Sequence, residues 1–413
     1  MAAIRLDSFK GINNKAHQSK MPPNYLRECI DAHIDNSGMV VKREGYTRQS
    51  SDDFTALWSD GLRCFAVKNG DLVEVIDNGD SYSFTTLRAG VGYYDMVFAE
   101  CDGRYYYVNR LVNGIIGESG DQTFGMAQVN YQPTLASSNG SMLAGTYLVA
   151  VTALDANGLE SGTKEPATIT ITDNKQIQLS NIYTTSDTRV THIAIYCSTQ
   201  NGSELYRIGT ISAGTTTYTI TAANAYGFPL QDALIGANPA PLGDLIAYHY
   251  GHLYIASGKY LFYSDAWRYE RWRPQQHYKY PSNITIVLPC ESGLWVSTEK
   301  DGLFWLSGKN PKHSKEVSGD ISQARKHIAC IKKGSARRIE AEFIGNGNSS
   351  YGYMATAKEG LFLLLDGGQF ANISQDNINM PTFTHCSSAI VNDSDSFKYV
   401  AILAGETLPL RTI

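Results

Sequence analysis

The residues of this chain best placed by type and spacing to do chemistry fall into two groups. From Lys309 to Arg338 bases crowd together: Lys309, Lys312, Lys315, Arg325, Lys326, Lys332, Lys333, Arg337 and Arg338, set against only Glu316 and Asp320. On a chain of net charge −5 this is the one marked charge asymmetry. Such a segment is either a solvated loop with bases on both faces, the preferred reading, or a docking surface for an acidic partner or passing DNA phosphates. The second group runs from Ser264 to Tyr280, where Trp267, Trp272 and Tyr278 interleave with Arg268, Arg271, Arg273 and Lys279. Guanidinium groups stacked on those rings would brace a long loop between strands, again the preferred reading. Rings turned to solvent would instead form a stacking platform for a sugar or a nucleic acid.

Other chemistry is hard to place. No nucleophile elbow, Walker loop, H-E-x-x-H or dinucleotide fingerprint occurs. Gly302 to Lys309 comes nearest to a phosphate loop, but its glycine spacing is wrong and Asn310 stands where a metal-binding hydroxyl is needed. His249 and His252 are three apart, and along one strand such positions face opposite sides, which argues against a shared metal. The seven cysteines are scattered, odd in number and never paired as C-x-x-C, so they read as buried thiols of a reducing compartment. The expectation is a protein without a catalytic set, metal or cofactor. An overall negative charge also argues against a surface that grips nucleic acid throughout.

The elements that must carry these residues are strands. A content of 37 Gly and 26 Tyr with 18% charged residues suits many short strands joined by tight turns. Three stretches repeat one pattern of apolar strand, Gly-containing turn and aromatic-rich strand: HLYIASGKYLFYSD from His252, GLWVSTEKDGLFWLSG from Gly293 and GYMATAKEGLFLLLDGGQF from Gly352. An earlier hairpin, LRCFAVKNGDLVEVID from Leu62, carries the Asn69-Gly70 turn that right-twisted pairs prefer. Another strand follows at Arg104 to Asn109, a spacing near that of one propeller blade. Between them, Thr-, Ser- and Asn-rich strands with turn clusters every eight to twelve residues have the pattern of a β-sandwich.

The expected fold is therefore all-β: a β-propeller interrupted by an inserted β-sandwich, with an extended N-terminal arm. Its divisions are an arm and first strand over 1–50, first blades over 51–131, an immunoglobulin- or fibronectin III-like sandwich over 132–239, and the remaining blades over 240–413. An arm so poor in periodicity must pair its backbone with its own body or with a neighbour. No basic stretch precedes an apolar one at Met1, and the longest apolar runs, such as Ile284 to Leu288, are far too short to span a bilayer.

Several short motifs carry a resemblance. Phe9-Lys10-Gly11-Ile12-Asn13, Leu26-Arg27, Asp35-Asn36-Ser37-Gly38, Lys42-Arg43-Glu44-Gly45-Tyr46 and Tyr107-Val108-Asn109-Arg110 together resemble the opening of tail nozzle proteins of short-tailed bacteriophages. The hairpin Tyr254-Ile255-Ala256-Ser257-Gly258 with Tyr263-Ser264 is similar to those of phage tail propellers. Tyr147 to Thr152 followed by Gly158-Leu159-Glu160-Ser161-Gly162 resembles a fibronectin type III module. Ser297 to Trp305 resembles the Asp-box hairpin of sialidase-type propellers, with its Asp301 displaced to sit beside Gly302. The nozzle resemblance implies a non-enzymatic virion subunit, made in the host cytoplasm, that forms a ring, usually a hexamer. Its implied partners are copies of itself, portal and adaptor proteins, tail fibre or needle proteins, and double-stranded DNA in passage. The alternative is a carbohydrate- or receptor-binding propeller of the tail; a glycoside hydrolase would need two facing carboxylates that no motif selects.

Overall fold

The computed structural model describes residues 8–35, 37–43, 45, 47–118, 120–223, 227–311, 325–327, 329–340, 351–393 and 396–405. A small hairpin opens the chain, β1 (Ala32–Ile34) and β2 (Val40–Lys42). Two four-stranded antiparallel sheets follow. The first holds β3 (Phe54–Ser59), β4 (Cys64–Lys68), β5 (Asp71–Asp77) and β6 (Tyr82–Arg88). The second holds β7 (Val97–Cys101), β8 (Arg104–Val108), β9 (Asn113–Gly117) and β10 (Gly120–Gln122). Within each, consecutive strands pair, so both are simple meanders.

The chain then leaves for a different body. β11 (Thr134–Met142), β14 (Lys175–Ser180) and β17 (Tyr218–Ile220) form one sheet; β12 (Gly145–Asp155), β13 (Ala167–Ile171), β15 (Val190–Ser198) and β16 (Leu205–Ser212) form another. Val149, Val151, Ile193 and Ile195 from the second meet Ile177, Leu179 and Ile220 from the first in one buried cluster, the packing of a sandwich.

Three further meanders complete the series. They are β18 (Leu245–His249), β19 (His252–Ser257), β20 (Tyr260–Asp265) and β21 (Arg268–Lys279); β22 (Ile284–Pro289), β23 (Gly293–Thr298), β24 (Gly302–Ser307) and β25 (Arg325–His327); and β26 (Arg337–Glu340), β27 (Tyr351–Ala357), β28 (Gly360–Leu364) and β29 (Phe370–Asn372). A last sheet has two strands among the described residues, β30 (His385–Asp393) and β31 (Ser396–Ala404). Each apolar cluster is shared by successive sheets: Phe65 and Leu72 with Phe98 and Tyr107, Tyr106 with Ile255, Tyr254 with Phe304, and Trp295 with Phe362. First strands also lie side by side, β3 beside β7, β7 beside β18, β18 beside β22 and β26 beside β30. Sheets stacked face to face in sequence order, with the sandwich spliced between second and third, make this an interrupted β-propeller.

Local chemistry explains the pattern. Strands covered on both faces run mostly apolar, and every residue of β23 is buried, its two polar members accepting from backbone, Ser297 Oγ from Ile331 N at 2.9 Å and Thr298 Oγ1 from Asp301 N at 3.1 Å. The turn between Lys68 and Asp71 needs two left-handed residues, which Asn69 (φ 52°) and Gly70 (φ 84°) supply. Asn109 is fully buried, its amide donating to Val91 O at 3.0 Å while its side-chain oxygen accepts from the Leu111 and Val112 amides. Beside it, Arg110 reaches Asp244 at 2.5 Å, linking the second sheet to the approach to the third.

The arm pairs with its own body. Asn13 N donates to Leu26 O and Leu26 N to Gly11 O, while Asn14 N donates to Asn377 O at 3.0 Å and the Asn14 side chain accepts from Asn379 N at 2.7 Å. Two features differ from expectation. Most of the Ser264–Tyr280 stretch is not a long loop but the twelve-residue strand β21, with Trp272 and Tyr278 buried and paired opposite Ser264 and Leu261. Strand β11 carries no apolar alternation; its polar sequence TLASSNGSM is recruited by backbone pairing with β14.

Candidate functional site

Among the described residues, the bases of the basic segment turn to different partners. Lys309 lies over the Tyr250 ring at 4.4 Å, Lys332 sits near Phe383, and Lys333 pairs with Asp95 at 3.3 Å. Arg338 is held by Glu340 at 3.1 Å and stacks over Tyr351 at 4.1 Å, while burial lowers the pKa of Arg337. Arg325 and Lys326 fall on β25, and Lys312 and Lys315 lie outside the described residues. Lys309, Lys332, Lys333 and Arg338 are thus shared among rings and acids on separate elements.

The aromatic platform is not assembled either. Trp272 and Tyr278 are buried, at 2% and 3% exposure, and only Trp267 stands out, at 65%. Trp272 packs edge-on to Phe124, and its indole N–H donates to Tyr269 O at 2.8 Å. A ring with both faces in the core stacks on no ligand.

The two histidines require a change of reasoning. They flank a two-residue turn, Tyr250 (φ 40°) and Gly251 (φ 75°), and face each other as a cross-strand pair on one side of the sheet. The one-strand argument placed them on opposite sides, because it did not see the turn between them. Each is nonetheless engaged by backbone: His249 Nε2 lies 2.9 Å from Cys290 O and His252 Nδ1 2.8 Å from Ser264 O. Burial pulls His249 down to about 4. Among the described residues no cluster of three or more His, Cys, Asp or Glu is spaced to hold a metal. Cys101, Cys197 and Cys290 are buried, with burial pushing Cys197 and Cys290 up to about 12; Cys29, Cys64, Cys330 and Cys386 are only half-buried, short of the full burial expected.

What the fold does assemble is a cleft of about 620 Å³ where the sandwich meets the third propeller sheet, adjoined by a second of about 500 Å³. The insertion's exit segment fixes the seat: Asn238 N donates to Trp272 O at 2.7 Å and Trp272 N to Asn238 O at 3.0 Å. Irregular register between β20 and β21 re-aims the arginines, since Phe262 opposes His277 but Ser264 opposes Trp272 and Asp265 opposes Arg268. Arg271 then donates to Gln231 Oε1 at 3.1 Å, and Arg273 to Ala233 O at 2.7 Å.

Charge in the cleft is mostly paired. Arg189 meets Glu270 at 2.9 Å, with Arg104 at 3.9 Å from the same carboxylate. Arg207 meets Glu160 at 3.2 Å, and Arg273 meets Asp265 at 3.5 Å. Burial, then the bond to Glu160, raises Tyr196 to about 12. Arg268 and Arg271 form no ion pair among the described residues, and burial followed by the charge of Arg268 lowers the pKa of Arg271. The cleft thus holds two guanidinium charges in excess of its ion pairs, with exposed Trp267 on one rim and exposed Phe228 on another.

No family model and no curated protein matches this chain. Solved structures give only loose likenesses. The structure described as YCF48 bound to D1 peptide is 11% identical with a TM-score of 0.25, over 80% of this chain and 83% of that one. Saccharomyces cerevisiae Sqt1 is 10% identical with a TM-score of 0.20, over 78% and 97%. Kluyveromyces lactis Hsv2 is 9% identical with a TM-score of 0.22, over 85% and 98%. Likeness this distant assigns no function, and the propeller is read from the sheets themselves.

The cleft was missed in the sequence because its walls come from residues far apart, Glu160, Arg207, Phe228 and Arg268. The one available signal was the run of arginines between Arg268 and Arg273, read there as a brace. Among the described residues no helix is long and apolar enough to cross a membrane.

Proposed function

We propose that this protein is a non-enzymatic structural subunit of a short-tailed phage tail, a nozzle or hub component that assembles with copies of itself into a ring lining the DNA exit path. The observation that carries this reading is the exposed apolar surface of the arm. The segment carrying β1 and β2 presents Ile30 (73% exposed), Met39 (55%), Val40 (44%) and Val41 (39%) to solvent. An apolar group of this kind on a segment already tied to its own body is a surface suited to cover by a neighbour. A second copy of the chain is the neighbour the reading assigns. All but one of the motifs that resemble nozzle openings lie in that arm, Tyr107–Arg110 alone falling at β8, and the net charge of −5 suits a passage that must not hold phosphate.

On this reading the ring would sit under portal and adaptor proteins, with fibre or needle proteins as further neighbours, in a virion assembled in the host cytoplasm. The reading of Trp267, Trp272 and Tyr278 as a receptor platform loses two of its three rings to the core. The test is sedimentation of the full chain beside Met39→Ser/Val41→Ser and a deletion of residues 28–43. Concentration-dependent assembly lost in both variants supports the proposal; assembly indifferent to both removes the arm from it.

A further inference from the structure

We infer that the cleft between the inserted sandwich and the third propeller sheet binds a saccharide bearing a carboxylate or sulfate group. The inference goes beyond the assembly reading and does not depend on it. Trp267 is the starting point. It occupies the turn between β20 and β21 with φ 56°, a backbone region that bulky side chains rarely adopt. Its indole lies against Gly251, where an added Cβ would come within 2.7 Å of Cε2. One part of the ring is therefore held by backbone, while the residue as a whole stays 65% exposed at the cleft. Strain spent on displaying an aromatic ring points to a ligand-facing role.

Phe228, 74% exposed, borders the same cleft, with the Arg207 guanidinium 5.6 Å from its ring. Aromatic faces at a rim suit the C–H faces of a sugar ring. The cleft wall supplies the polar half of the recognition. Arg268 and Arg271 are free of ion pairs among the described residues, and a planar guanidinium is the best partner for a carboxylate or sulfate. Gln231, whose Oε1 takes the bond from Arg271, presents its amide N–H groups, and Asp155 presents its second carboxylate oxygen beside an Oδ1 that accepts from the Asn157 and Leu159 amides. Mixed donors and acceptors fit a polyhydroxylated ring carrying one acid group.

The same wall disfavours nucleic acid. Carboxylates line both adjoining clefts, so the basic charge is a local point and not a continuous track, as a run of phosphates requires.

The experiment is calorimetric titration of the full chain with a galacturonate tetrasaccharide, a sulfated carrageenan tetrasaccharide, neutral maltotetraose and an oligo(dT) octamer. Binding of one or both acidic sugars and not of maltotetraose is expected, the two arms telling carboxylate from sulfate. Trp267→Ala and Arg268→Gln, both at exposed positions, should each weaken binding by about tenfold or more, with circular dichroism unchanged. Arg271→Lys, which keeps the charge but loses the planar fork, should weaken it by a smaller factor. The inference is overturned if neither acidic sugar binds, if binding is indifferent to Trp267→Ala and Arg268→Gln, or if oligo(dT) binds more tightly than either sugar.

Discussion

Replacing Glu270 by alanine removes the counter-charge that holds the sandwich against the third propeller sheet. Its carboxylate lies 2.9 Å from Arg189, and the two side chains are only 14% and 15% exposed. Arg104, 3.9 Å away and 57% exposed, adds little. Loss of the carboxylate leaves the Arg189 guanidinium largely out of water without a counter-ion. Breaking such a pair costs about 3–5 kcal/mol when burial is complete, and the remaining exposure together with the bonds from Arg189 to Thr123 lowers the expectation to about 2 kcal/mol. The tryptophans, at 58, 267, 272, 295 and 305, all lie outside the sandwich. Urea unfolding followed by tryptophan fluorescence therefore reports the propeller, while far-ultraviolet circular dichroism reports both bodies. In Glu270→Ala the two curves should separate, with the dichroism transition moving to lower urea first. Arg189→Met combined with Glu270→Leu should recover most of the loss, because both charges are removed together. A Glu270→Ala shift under about 0.5 kcal/mol, or a double variant worse than the single one, refutes this account of the seat.

Other expectations follow from single positions. Trp295 is fully buried and donates to Leu365 O at 2.8 Å between successive sheets, so Trp295→Ala should cost about 3–5 kcal/mol in urea unfolding. Gly70→Val places a branched side chain at φ 84° and should destabilise by about 1–2 kcal/mol, whereas Gly70→Asn should cost less. His249 falls from 6.5 to about 4 on folding, so the folded state resists its protonation. Its contribution is complete above pH 6.5 and is lost as pH falls through 4, by up to about 3 kcal/mol, and His249→Gln should flatten the slope of stability against pH over that window. Cys197 and Cys290, held up to about 12 by burial, should resist a thiol reagent at pH 8 until the protein is unfolded.

Where the chain's pattern is local, the sequence already reads correctly. The Asn69-Gly70 turn and the repeated hairpins at His252, Gly293 and Gly352 appear as paired strands, since apolar runs and turn residues encode both. Non-local features were hidden. β11 has no apolar alternation and exists through its pairing with β14. The run of bases between Lys309 and Arg338 is open to two readings in the sequence, bases on both faces of a loop or one shared surface, because sequence proximity does not fix where a side chain turns; Lys333 turns to Asp95 and Arg338 to Glu340. For Trp272 and Tyr278 both a brace and an exposed platform stay open in the sequence, with the brace preferred, because composition does not say which side of β21 is covered. The cleft needed the sandwich to dock before its arginines became neighbours.

Electron microscopy of the full-length protein, alone and mixed with a portal and adaptor assembly, tests the central proposal most directly. The account predicts closed rings of copies around an opening of about 20 Å or more, enough for a groove-bearing duplex, with the arm at the contacts between neighbours. Isolated monomers in both preparations, at every concentration, would contradict it.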